Sequence, residues 1–417
     1  MTPPPHPNRQ LGPAGALGTN GDAGNQLHRS IGLTALTLYG IGVTLGAGIY
    51  VLIGETAALA GGWAPLSFVL AGLVAGLSAL SYGELSTRLP VSAGEAAYVR
   101  VGLQSKALSQ LVGYGVVATG LLSSATILQG FAGYWAGVSD APRAAVIGAA
   151  AAGLTGLAIW GVRSSVYAAG AIAVLELLGL AFILVVAAPA AVTAPAPFER
   201  GSLFGLAAAA SVAFFAFIGF EDIVNMAEET RDPVRVLPRA ILITLVVSTA
   251  VYAAVVWAAV VAVEPSRLAQ SSDPMVEVLR ATGAPGENAM SGLAMLAIIN
   301  GALIQMIMAS RVLYGMARQG AAPPLLGRVH PKRRTPHIAT AIVGLAMLAL
   351  ALSLALGELA RATSFVTLGV FALVNVSLIA IRRREPAPEA GVFRAPQWSP
   401  WAGAVSAVAL MGFALVG

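Results

Sequence analysis

"GIGVTLGAGIYVLIG", residues 40–54, is apolar enough to lie in a membrane, yet it carries five glycines. Each glycine in a helix interior costs about 1 kcal/mol against alanine. The run Gly46-Ala47-Gly48 reads in two ways. It is a packing face, since Gly42 and Gly46 form a small-xxx-small step, as Gly72 and Gly76 do in the next segment. Or it is a break in a membrane-spanning helix. A second stretch tips the balance toward a break. "SVAFFAFIGFEDIVNMAEET", residues 211–230, is interrupted near Gly219 and followed at once by Glu221 and Asp222.

The chain around these stretches is built for a bilayer. Of its 417 residues 57% are hydrophobic and 10% charged, whereas a typical soluble domain is about 25% charged. A transmembrane helix needs about 20 mostly apolar residues. Eleven such segments are read, at 32–59, 64–85, 107–136, 143–160, 166–192, 203–228, 240–263, 289–317, 338–357, 362–381 and 399–416. The period-two alternation of a membrane β-barrel is absent. The expected fold class is an all-α polytopic membrane protein.

Residues 1–29 are rich in Pro, Gly and polar residues; they predict a disordered tail with no cleavable signal peptide. With the N-terminus in the cytoplasm and the spans alternating, 18 of the 24 Lys and Arg fall on the inner side and five on the outer; Arg311 lies within a span. That bias obeys the positive-inside rule. The basic run "HPKRR", residues 330–334, is accounted for by topology, so no nucleic-acid partner is expected. The excess of 22 arginines over two lysines suggests a GC-rich bacterium, and so a bacterial cytoplasmic (inner) membrane. There is no cysteine, and the four histidines lie outside the spans, so neither a cofactor nor a metal site is expected.

The two breaks lie five spans apart. That spacing predicts two five-span repeats, 30–192 and 203–381, the second inverted in the membrane, with 399–416 as an additional span 11. Paired interruptions of this kind mark a transporter binding site. In span 1 the second half-helix starts near Gly48, so the N–H groups of Gly46, Ala47, Gly48 and Ile49 face the gap and suit a carboxylate. In span 6 the first half-helix ends near Phe215–Ile218, leaving carbonyls that suit an ammonium group. Together they match the zwitterionic backbone of an amino acid.

Ionisable groups inside the spans suggest function. Glu221 and Asp222 open the second half of span 6. Capping is one reading for both and suits Asp222 better; proton carriage by Glu221 is the other. Glu176, mid-span 5 in "AVLELLGL", is either neutral and hydrogen-bonded or a coupling site. Among mid-span amides, Gln305 is the one expected to reach a ligand, ahead of Asn300 and Asn375. Glu84 and Arg311, near the inner ends of spans 2 and 8, are expected to form an inner-gate ion pair.

These motifs carry a family likeness across most of the chain. "GIGVTLGAGIY", "SYGELSTRLPVSAGEAAYV", "FFAFIGFEDIVNMAEETRDPVRVLPRAI" and "SRVLYGMARQGAAPPLLGRVHPKRRTP" resemble the amino acid–polyamine–organocation (APC) superfamily, within it bacterial amino acid permeases and cationic amino acid transporters. The resemblance implies the five-plus-five inverted-repeat fold of the leucine-transporter type. It also implies secondary active transport of amino acids by alternating access, as an exchanger or a proton-coupled symporter. It assigns the substrate carboxylate to Gly46, Ala47 and Gly48, with Thr44 and Ile49 beside them. The amine goes to the carbonyls of Phe215 and Ile218 at Gly219, the Phe215 ring closes over the substrate, and pH response goes to Glu221.

Three departures stand out. Ala47 replaces the usual Ser or Thr, so a hydroxyl to the carboxylate is missing. Glu176 is the nearest charged residue to the place where proton-coupled relatives have a span 5 lysine. Eleven spans are read where relatives commonly have twelve. A polyamine or other organic-cation transporter of the same fold is the competing reading, and the intact glycine break argues against it. HExxH, GxSxG and nucleotide-binding loops are absent from the sequence, so neither an enzyme nor an ATP-driven pump is expected.

Overall fold

The computed structural model describes residues 29–89, 94–161, 166–193, 202–385 and 392–416. All but the last residue of the expected tail, residues 1–28, lies outside the described residues. Among the described residues the chain is helical, with one isolated backbone bridge.

Each expected span meets a helix. Span 1 is α1 (Leu33–Leu45) and α2 (Gly48–Ala60), and span 2 is α3 (Ala64–Arg88). A short helix, α4 (Gly94–Leu103), precedes α5 (Lys106–Ala136), α6 (Arg143–Trp160) and α7 (Val166–Thr193), which are spans 3 to 5. Span 6 begins as α8 (Leu203–Ala213) and continues as two 3₁₀ stretches, Phe214–Phe217 and Phe220–Met226. Span 7 is α9 (Pro233–Ala262). Two short helices, α10 (Pro265–Gln270) and α11 (Pro274–Thr282), lead to α12 (Glu287–Arg318), α13 (His337–Ser353), α14 (Leu356–Arg384) and α15 (Ser399–Val416), spans 8 to 11. Eight helical stretches are long and apolar enough to cross a membrane, and α1, α13 and α15 are shorter apolar helices.

The packing has a rule. Spans 2, 3 and 4 each pack most extensively on the span five later, as α3 on α9, α5 on α12 and α6 on α13. Small residues permit it. A Cβ on Gly72 would lie 2.4 Å from Thr249 Oγ1, one on Gly120 would lie 2.8 Å from Ala309 Cβ, and one on Gly344 would lie 2.1 Å from Thr155 Oγ1. Apolar side chains gain little from leaving lipid for a helix interface, so close backbone approach carries the association. Gly76, the partner of Gly72 in the sequence step, has open space around it.

Spans 1 and 6 are tied together at the arginine-rich end. The N–H groups of Ser30 and Ile31 donate to the Glu229 carbonyl at 3.0 and 3.1 Å, and Arg231 N–H donates to the Ile31 carbonyl at 2.8 Å. At the opposite end α10 folds onto α2, where a Cβ on Gly54 would lie 2.8 Å from the Leu268 carbonyl oxygen. Arg280 holds that end by pairing with Asp273 at 3.3 Å and Glu287 at 2.9 Å.

Candidate functional site

The first break is short. α1 stops at Leu45 and α2 starts at Gly48, with Gly46 and Ala47 between them. Both residues keep right-handed helical dihedrals, but the hydrogen-bond ladder fails there. Among the described residues, no carbonyl accepts from the N–H of Gly46 or Ala47. Inside a membrane such donors need a partner from protein, water or ligand.

The second break is sharper. Ile218 turns to an extended conformation and Gly219 takes φ +122°, a region that disfavours any side chain. The Phe215 carbonyl is taken by Ile218 N–H at 3.1 Å, and the Gly219 carbonyl by Asp222 N–H at 3.1 Å. The Ile218 carbonyl accepts no backbone bond among the described residues. Of the two carbonyls expected to be open, only Ile218's is unshared.

The breaks meet backbone to backbone. A Cβ on Gly48 would sit 2.4 Å from Ala216 Cα, and one on Gly219 would sit 2.7 Å from Val43 Cγ1. Tyr252, on α9, joins them: its hydroxyl is shared between the Ala216 carbonyl, at 2.8 Å, and the Thr44 carbonyl. A phenol has one proton to donate, so a single hydroxyl ties both interrupted spans. Sequence reasoning passed over Tyr252. The available signal was the single tyrosine of α9, in "STAVYAAVVW".

Span 8 lines the first break. A Cβ on Gly46 would lie 3.7 Å from the Ala297 carbonyl oxygen, and one on Gly301 would lie 3.5 Å from Ala47 Cβ. Gln305 continues that i, i+4, i+8 stripe. It is buried and its Oε1 has no partner; the same holds for Thr44 Oγ1. Ile49 and Phe215 are buried as well. Phe214, Phe217 and Phe220 all stack edge-on with other rings, whereas Phe215 has no ring partner among the described residues.

The acids divide in an unexpected way. Glu221 folds back, and Gly219 N–H donates to its Oε2 at 2.8 Å, so Glu221 caps the break. Asp222, the residue better suited to capping by sequence, leaves both carboxylate oxygens unpartnered while buried. Glu176 is fully buried in α7, again with both oxygens unpartnered.

The expected Glu84–Arg311 pair is not formed. Glu84 is fully buried and its carboxylate is saturated. It accepts from Arg88 Nε at 2.9 Å, from Arg382 Nε at 3.2 Å and from Ala395 N–H at 2.9 Å. Arg311 instead faces a cavity with Asp222. Both residues lie near the inner ends of their helices, but the helices turn these side chains to different neighbours, and sequence position alone does not report rotation about a helix axis.

Paired interrupted helices, with orphan backbone donors on one and an orphan carbonyl on the other, are the arrangement in which membrane transporters build a binding site. The amino acid permease family matches residues 31–416, and the chain belongs to that family. It is 30% identical over 388 residues to the branched-chain amino acid permease BcaP of Bacillus subtilis, covering 86% of this chain and 82% of the relative. It is 29% identical to the methylthioribose transporter of the same organism, covering 89% and 84%. It is 28% identical to the vacuolar cationic amino acid transporter 2 of Arabidopsis thaliana, covering 87% of this chain and 61% of the relative.

Proposed function

We propose that this permease grips the zwitterionic backbone of an α-amino acid at the two breaks. The N–H groups of Gly46 and Ala47, at the mouth of the half-helix opened by Gly48 and Ile49, take the carboxylate. The Ile218 carbonyl, with Phe215 beside it, takes the ammonium group. One observation carries the reading: the unsatisfied donors and the unsatisfied acceptor belong to two breaks packed against each other. Thr44 and Gln305 supply unpartnered side-chain polar atoms, and the Phe215 ring closes over the substrate. The pocket reads backbone atoms shared by all α-amino acids, so side-chain preference lies elsewhere.

Transport is by alternating access between two inverted five-span repeats, in keeping with the packing of spans 2, 3 and 4 on the spans five later. Of the two proton-coupling candidates, Glu176 is the stronger, since Glu221 is engaged as a cap while both Glu176 oxygens are open. Exchange and proton symport both fit this site. The arginine-rich end faces the cytoplasm, together with the N-terminus, in a bacterial cytoplasmic membrane.

Counter-transport in proteoliposomes tests the reading. A panel led by leucine and arginine, the side-chain classes for which two relatives are named, should yield at least one amino acid that drives exchange. Accumulation of polyamines or of methylthioribose, with none of the amino acids, would reject it.

A further inference from the structure

The cavity at the arginine-rich end holds two opposite charges that the break site leaves unused. It encloses about 490 Å³, inside the roughly 300–1,000 Å³ of small-molecule sites. One wall comes from spans 1 and 6, with Tyr39, Asp222, Asn225 and Glu229; the facing wall comes from spans 3 and 8, with Gln110 and Arg311. Asp222 is 3% exposed, and neither carboxylate oxygen has a hydrogen-bond partner. Arg311 is exposed toward the cavity and, among the described residues, has no carboxylate within 4.0 Å.

A carboxylate withdrawn from water is unfavourable until a donor or a proton reaches it. A guanidinium fork matches a carboxylate with two parallel bonds. The two charges line the same cavity, together with Tyr39 and Glu229. Glu95 also lines this cavity. Burial pushes its carboxyl up, and Tyr82 Oη donates to it at 3.3 Å. The cavity therefore offers an acceptor for an ammonium group on one wall and a donor for a carboxylate on the other.

We propose that this cavity is a second amino acid site, separate from the breaks, in which Asp222 takes the ammonium group and Arg311 the α-carboxylate. It rests on the amino acid reading of the break site. In transport it is the station through which substrate passes between the breaks and the arginine-rich side. The rival use of the same charges is a gate in which Asp222 and Arg311 close on each other with nothing between them.

Equilibrium dialysis of the full chain in lipid nanodiscs, with radiolabelled L-leucine and L-arginine as probes, decides. The expected stoichiometry is two per chain for at least one probe. Asp222→Asn and Arg311→Gln should each reduce it to one and leave the Kd of the remaining site within about twofold. A stoichiometry of one in the unaltered protein, or two sites that survive both substitutions, would each overturn the proposal. Counter-transport by the same preparation separates the failures. If amino acids exchange but only one binds, the second site falls alone; if none exchanges, the break-site reading falls with it.

Discussion

Glu84 and Asp222 are both buried carboxylates near the arginine-rich end, and they are opposites. Glu84 is surrounded by donors from Arg88, Arg382 and Ala395, drawn from three separate parts of the chain. Asp222 has none and opens onto a cavity. A buried charge without partners is expensive, so a chain that supplies three donors to one carboxylate and none to another treats them differently. Glu84 is structure: it pins span 2 to the end of span 10 and to the lead-in to span 11. Asp222 is held for something that arrives. Glu176, mid-membrane and equally unpartnered, belongs with Asp222 in this division.

The largest expected effect lies on the structural side. Arg382→Ala strips one cation from a fully buried carboxylate and should cost about 3 kcal/mol, read as a lower unfolding midpoint in detergent. Stability unchanged by that substitution would erase the contrast with Asp222. Next comes Tyr252→Phe, which leaves the Thr44 and Ala216 carbonyls without their shared donor. About 1–2 kcal/mol of stability should go, and transport should fall more steeply than stability, because the two breaks lose their common tie. Asp222→Asn should leave stability equal or higher, since it removes an unpaired buried charge, and should impair transport. A clear stability loss there would make Asp222 structural after all. The smallest effect on folding is expected for Glu176→Gln, which keeps shape and removes the titrating group. Its signature is a flattened pH profile of transport, whereas Glu221→Gln, which preserves an acceptor for Gly219 N–H, should leave the profile as it is.

Much of this was legible in the sequence. Hydropathy set the spans, and glycine clusters set the breaks: α1 ends and α2 begins on either side of Gly46-Ala47, where the reading placed the gap. What sequence could not deliver was azimuth. Glu84 and Arg311 both lie near the inner ends of their helices, yet one faces Arg382 and the other a cavity, because a shift of one residue turns a helix face by about 100°. The same blindness hid which of the two acids, Glu221 or Asp222, caps the break. Adjacent acids look interchangeable in a string, but Gly219 at φ +122° aims its N–H at the first of them. Tyr252 was illegible for another reason. Its partners, Thr44 and Ala216, are backbone carbonyls 208 and 36 residues away, and main-chain acceptors leave no mark on residue identity.

The central claim is that recognition rests on both ends of a zwitterion, held by backbone at two breaks. Competition of counter-transport by trimmed substrates tests it most directly. The transported amino acid is compared with its decarboxylated amine and with its deaminated acid, each at equal concentration. The account predicts that the amino acid competes fully and that each trimmed compound is weaker by at least tenfold, since each leaves one break unsatisfied. Competition by the amine equal to that of the amino acid would contradict it, because the N–H groups of Gly46 and Ala47 would then have no part in binding.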